Sequence, residues 1–112
     1  MRIAFTSKGT NWDSMIDPRF GRTEFLLVYD EEKDELIHFD NRAIENEAHG
    51  AGPKTAQKIF ELHADVLITG NGPGGNASAV LDRAGLNIYT GAGDMSIKEA
   101  LNAYQKNELD KL

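Results

Sequence analysis

The sequence predicts an α/β domain: a mixed five-stranded sheet in the order β-β-β-α-β-α-β-α, with helices packed on its faces. Its first half carries short apolar runs, two of them joined by a link too short for a parallel crossover, so those strands pair antiparallel. Its second half alternates short apolar runs with stretches of helical periodicity, the pattern of parallel strand–helix–strand units. A length of 112 residues suits one domain over 1–112 and leaves no room for a second core.

Arg2 to Ser7 reads as a short apolar strand that ends in the turn-prone run Lys8-Gly9-Thr10-Asn11. Glu24 to Asp30 is nearly continuous in Phe25, Leu26, Leu27, Val28 and Tyr29, as expected of a strand covered on both faces inside the sheet. Glu31-Glu32-Lys33-Asp34 then makes a charged turn, and Glu35 to Asp40 returns as the third strand. Beyond Asn41, Ala56, Ile59, Phe60 and His63 fall at helical spacing, with Pro53 in the first turn where its missing N–H costs nothing. Val66-Leu67-Ile68-Thr69 is a buried strand, followed by Gly70-Asn71-Gly72-Pro73-Gly74-Gly75. Ala77, Val80, Leu81 and Ala84 line a second helix that Gly85 terminates. Asn87 to Thr90 is a short strand before Gly91-Ala92-Gly93. Ser96 and Glu99 have capping-box spacing, and Ile97, Ala100, Leu101 and Tyr104 form the stripe of a last helix.

Composition narrows the function classes. Hydrophobic residues make up 40% and charged residues 27%, a globular balance. A net charge of −6 argues against a nucleic-acid partner held by phosphate neutralisation, though a local basic cluster still suits a small anion. The absence of cysteine removes disulfides, thiolate nucleophiles and thiolate metal ligation. No signal-peptide core follows the N-terminus, and no apolar run approaches the roughly 20 residues that span a bilayer. A cytoplasmic protein with no membrane segment is the expectation.

In mixed sheets of this kind ligands bind beyond the carboxyl ends of the parallel strands. Three loops should meet there: Lys8 to Arg22, Gly70 to Asn76, and Gly91 to Gly93. Gly70, Asn71, Gly72, Gly74, Gly75, Asn76 and Gly91 would let backbone N–H groups approach an anion at the start of a helix. The same glycines serve equally as tight strand–helix turns, and neither a Walker loop nor a full dinucleotide fingerprint is present. In the long first loop, Lys8, Arg19 and Arg22 supply positive charge, with Phe20 and Gly21 between the arginines. The competing reading puts Phe20 in the core, Asp17 in a turn and the arginines in solvent. Trp12, Met15 and Phe20 form a third possibility, an exposed anchor patch for a protein partner. His38 and His63 read as ordinary strand and helix-end residues, whereas His49, before Gly50-Ala51-Gly52-Pro53, is placed to reach a ligand or metal. The acids at 31–35 and 45–47 read as solvated turns, and no nucleophile–base–acid motif occurs.

Several stretches in order and spacing resemble the dinitrogenase iron–molybdenum cofactor biosynthesis family, the nitrogenase accessory factor-like domain. They are Met1-Arg2-Ile3-Ala4-Phe5, Asp17-Pro18-Arg19-Phe20-Gly21-Arg22, Gly50-Ala51-Gly52-Pro53, Asp65-Val66-Leu67-Ile68-Thr69-Gly70, Leu81-Asp82-Arg83-Ala84-Gly85-Leu86 and Ile88-Tyr89-Thr90-Gly91. The resemblance implies a three-layer α/β/α, ribonuclease H-like fold and a non-enzymatic role in carrying an iron–sulfur or iron–molybdenum cluster precursor, with a cluster-assembly or acceptor protein as partner. The family's usual histidine before Phe-Gly is Arg19 here, which leaves His49 as the metal-ligand candidate. Nuclease chemistry does not follow from the fold, since the first strand lacks carboxylates and Asp65 precedes its strand at the wrong end.

Overall fold

β1 (Arg2–Ser7) is the strand on which the sheet is assembled. In a computed structural model that describes residues 1–45 and 50–112, its apolar positions Ile3, Ala4 and Phe5 are wholly buried. On one side it pairs antiparallel with β2 (Phe25–Asp30), Arg2 opposite Asp30 and Ser7 opposite Phe25. β2 in turn pairs with β3 (Glu35–Asp40), as the four-residue charged turn requires. On its other side β1 runs parallel to β4 (Val66–Ile68), which is parallel to β5 (Asn87–Thr90). The strand order is β3-β2-β1-β4-β5, with a sixth strand beyond β5.

The sixth strand corrects the five-stranded expectation. β6 (Asp110–Lys111) pairs antiparallel with β5, Tyr89 against Lys111 and Thr90 against Asp110. It is two exposed polar residues held by backbone pairing, so no apolar alternation announces it. A short helix α1 (Arg42–Glu45) after β3 is also additional.

Side-chain alternation along the strands gives the sheet two apolar faces. Ala4, Leu26, Val28, Leu67 and Ile88 meet Ala56 and Ile59 of α2 (Ala51–Glu61) and Ala77 and Leu81 of α3 (Gly75–Arg83). Ile3, Phe5, Leu27, Val66 and Ile68 meet Ile97 and Ala100 of α4 (Ile97–Gln105), with Ile16 filling the same face. The sheet is therefore covered by two helices on one side and by α4 with part of the 8–22 loop on the other.

Leu67→Ala should lower unfolding free energy by about 2–5 kcal/mol in a denaturant titration, since it empties a site enclosed by both strands and helices. A second prediction concerns pH. The Arg42 guanidinium, with the Arg42 backbone N–H, holds the Asp40 carboxyl at about 2 instead of the usual 3.8. A depressed folded pKa contributes stability above the unfolded value and loses it as pH falls through the folded one. The Asp40 carboxyl should titrate by NMR at about 2, and Arg42→Ala should return it towards 3.8.

Candidate functional site

Because β1, β4 and β5 are parallel, their carboxyl ends at Ser7, Ile68 and Thr90 share one edge, and three loops leave from it in contact. The Asn71 N–H donates to the Pro18 carbonyl at 2.9 Å, and the Gly91 N–H donates to the Gly70 carbonyl at 3.1 Å. Gly70 sits at the crossing. A Cβ there would lie 2.6 Å from Pro18 Cα and 3.1 Å from Gly93 Cα, so a side chain has no room. Beneath the crossing is a polar floor: Thr6 Oγ1 donates to the Asp17 carbonyl at 2.8 Å and lies 2.8 Å from Thr69 Oγ1.

The 8–22 loop is tied down at both ends. Its first part runs against the start of α4, with the Ile97 N–H donating to Ser14 O and the Lys98 N–H to Trp12 O. Isolated bridges join Ser7 to Ile16 and Met15 to Ser96. These non-local pairings give order to a stretch that reads as an irregular loop.

Its second part turns on Asp17, which has no exposure. The Asp17 carboxylate accepts from the Arg19 N–H (3.0 Å), Arg19 Nε (3.0 Å), Arg19 Nη2 (2.9 Å) and the Glu24 N–H (3.1 Å). Such a buried charge persists only when its oxygens are satisfied in this way. Gly21 then presses on the start of α2, where a Cβ would meet Gly52 N at 2.7 Å. Thr55 Oγ1 donates to Gly21 O at 3.0 Å, and Asn41 Nδ2 reaches both Thr55 Oγ1 and Thr23 O.

Two helix N-termini open on this edge side by side, a Cβ on Gly52 of α2 coming within 3.5 Å of Ala77 Cβ of α3. Their N-caps are Gly50 and Gly74, neither supplies a side-chain cap, and neither first turn contains an acid. The contrast is α4, on the opposite face. There Ser96 and Glu99 form a full capping box, and the Ser96 backbone N–H and hydroxyl pull the Glu99 carboxyl below its usual range. Neither helix start is capped by the side chain of its own N-cap residue, and a helix N-terminus is partially positive.

The expected site residues separate into groups. Arg19, Arg22, Asn71, Gly72, Gly74 and Gly91 are exposed; Gly21 and Gly70 are half-buried at the two close approaches. Gly75 and Asn76 belong to the first turn of α3, so the glycine run is divided between loop and helix. Lys8 is exposed, and its N–H donates to Met15 O within the 8–22 loop. Phe20 lies in the core under α2 and α3, which removes it from the Trp12–Met15 patch. Trp12 is half-buried with its ring edge-on to Tyr29, and Met15 is exposed. His38 and His63 are exposed, and His49 lies outside the described residues. Asp65 accepts the Arg2 N–H at the opposite, amino edge of the sheet. Among the described residues no group of three or more His, Cys, Asp or Glu is arranged to hold a metal ion, and no helix is long and apolar enough to cross a membrane.

Sequence reading missed the polar floor. Its only signal is hydroxyl residues at strand ends, Thr6-Ser7 after β1's apolar run and Thr69 after β4's, where buried apolar residues would otherwise continue.

Fold and edge define a small α/β domain with glycine-lined strand ends beside two helices whose N-cap residues are glycine. The chain belongs to the dinitrogenase iron–molybdenum cofactor family, whose model matches residues 1–107. It is similar to the apo form of the orange protein from Desulfovibrio gigas, with 31% identity, a TM-score of 0.93, and coverage of 99% of this chain and 92% of that one. It is also similar to a Thermotoga protein described provisionally as a NifB protein of the DUF35 family, with 33% identity, a TM-score of 0.84 and the same coverage of 99% and 92%. No curated protein sequence matches.

Asp17→Ala should cost about 1–3 kcal/mol in a denaturant titration, because it takes the acceptor from four part-buried N–H donors. Arg19→Ala should cost about 2–3 kcal/mol, because it takes two donors from a carboxylate that has no exposure of its own.

Proposed function

We propose that this chain is a non-enzymatic carrier of an anionic iron–sulfur or iron–molybdenum cluster precursor, received at the carboxyl edge of the sheet by one domain over 1–112. One observation carries the reading: the adjacent N-termini of α2 and α3, each with a glycine N-cap, meet the loop that carries Arg19 and Arg22 at the Gly21–Gly52 contact. Free N–H groups at a helix start and the helix dipole both favour an anion. With no cysteine in the chain, the cargo would bring its own inner coordination and be held by N–H donors and positive charge. His49 stays a ligand candidate.

Family membership and the likeness to the orange protein support a carrier role. The order β3-β2-β1-β4-β5 supports the ribonuclease H-like, three-layer grouping, with β6 added at one edge. A cluster-assembly protein would load the edge and an acceptor would unload it, in the cytoplasm, with no nucleic acid or membrane involved.

Anaerobic incubation with a synthetic thiolate-capped iron–sulfur cluster, followed by desalting and absorption spectroscopy, should show retained cluster. No uptake would sink the cluster reading. A thermal shift with phosphate or nucleotide in its place would favour a phosphate-binding protein, the alternative that the same helix starts permit.

Gly74→Asp gives a sharper test, because its effects on stability and binding have opposite signs. Gly74 has φ −69° and an added Cβ meets nothing within 4 Å, so the substitution fits. The new carboxylate would cap α3 and stabilise the protein by a few tenths to about 1 kcal/mol. It would also occupy the N–H groups that the anion needs, weakening cluster retention by ~10-fold or more.

A further inference from the structure

β6 lies beyond residues 1–107 that match the family, yet it reaches the glycine loops. After α4 the chain turns at Asn107 in a left-handed conformation (φ 59°), and the Glu108 N–H donates to Ala103 O at 2.9 Å. Leu109 packs against the α4-side core, β6 pairs with Tyr89 and Thr90, and the Leu112 N–H donates to Ile88 O at 2.9 Å. The Leu112 side chain then lies against Gly72: a Cβ added there would sit 3.1 Å from Leu112 Cδ1 and 3.8 Å from Thr90 Cγ2.

We infer that residues 108–112 form a strap that holds the Gly70–Gly75 loop in its receiving shape, with Leu112 as the positioning residue, and that opening the strap releases cargo. The part about cargo rests on the carrier reading above. The strap is built to open. Its ladder is two exposed residues, and Leu112 is 64% exposed, so little buried area opposes detachment. With the strap closed, the loop's N–H groups are ordered before the anion arrives; with it open, binding must supply that ordering. By linkage, a bound anion also favours the closed strap.

Amide exchange and cluster release are the two readouts, in the wild type, in Leu112→Ala and in a chain ending at Asn107. The Asn71 and Gly91 N–H groups, bonded to Pro18 O and Gly70 O, report on the loop without any ligand. Loss of the strap should speed their exchange by ~10-fold, with a smaller rise in Leu112→Ala, while the β1 amides hold their rates. Unchanged exchange at both positions overturns the strap. Gly72→Ala, which crowds Leu112 Cδ1, should also speed exchange, and adding Leu112→Ala should relieve the crowding; strictly additive effects overturn the contact's role.

Loaded with the synthetic iron–sulfur cluster, the shortened chain should release it ~10-fold faster than the wild type. Equal release rates overturn the coupling to cargo. If the wild type takes up no cluster, the carrier reading falls, and the strap still stands or falls on the exchange data.

Discussion

Four N–H donors converge on the buried Asp17 carboxylate, and three of them belong to Arg19. The arrangement holds the Asp17–Arg19 turn in one shape, places Phe20 in the core two residues before Arg22, and through Glu24 joins the loop to the start of β2. It also makes a long, freely rotating side chain into a fixed one. An arginine clamped through Nε and Nη2 keeps its charge and loses much of its rotamer freedom, so less remains to be lost when an anion arrives.

Close backbone approach does the rest. Gly21 against Gly52 brings the loop onto the start of α2, and Gly70 between Pro18 and Gly93 locks three strand-end loops at one point. Loops that touch so closely bury polar backbone, and that polarity needs partners. Thr6, Thr69, Thr23, Thr55 and Asn41 provide them, each buried and hydrogen-bonded under the edge. The satisfaction runs inward, among protein groups. Asn41 Oδ1 is buried without a partner among the described residues, and the two helix starts have glycine caps with no side chain to turn back on the first N–H groups.

Elements bounded by local chemistry were legible in the sequence. Glu35–Asp40 and Asn87–Thr90 match residue for residue, the first behind a charged turn and the second between glycines. The Ser96–Glu99 capping box is likewise present, because both partners lie within one turn. Features that depend on a remote partner were not legible. β6 exists because β5 offers a free edge, and the Met15–Ser96 bridge exists because α4 folds back beside the loop. Phe20 shows the limit within one motif: charge put Arg19 and Arg22 at the surface, but only the packing of α2 and α3 decides that the residue between them is core. The glycine run was visible as a run, while its division at Gly75 follows from burial of Ala77 and Leu81 on α3.

A chain with a net charge of −6 is an odd host for an anion until the charges are placed. Ser7 of β1 lies opposite Phe25 and Arg2 opposite Asp30, so the acidic turn after β2 stands at the amino edge, where Asp65 also lies. A six-residue strand separates that edge from the glycine loops, roughly 20 Å at about 3.3 Å per residue. The Debye length in physiological salt is about 8 Å, so repulsion from the far acids is largely screened before it reaches the site. The carboxyl edge itself carries both signs: Arg19 and Arg22 in the first loop, Asp40 opposite Phe25, and Asp110, whose Oδ2 lies 3.6 Å from where a Cβ on Gly91 would sit. A long polyanion would meet the whole surface and its full negative excess.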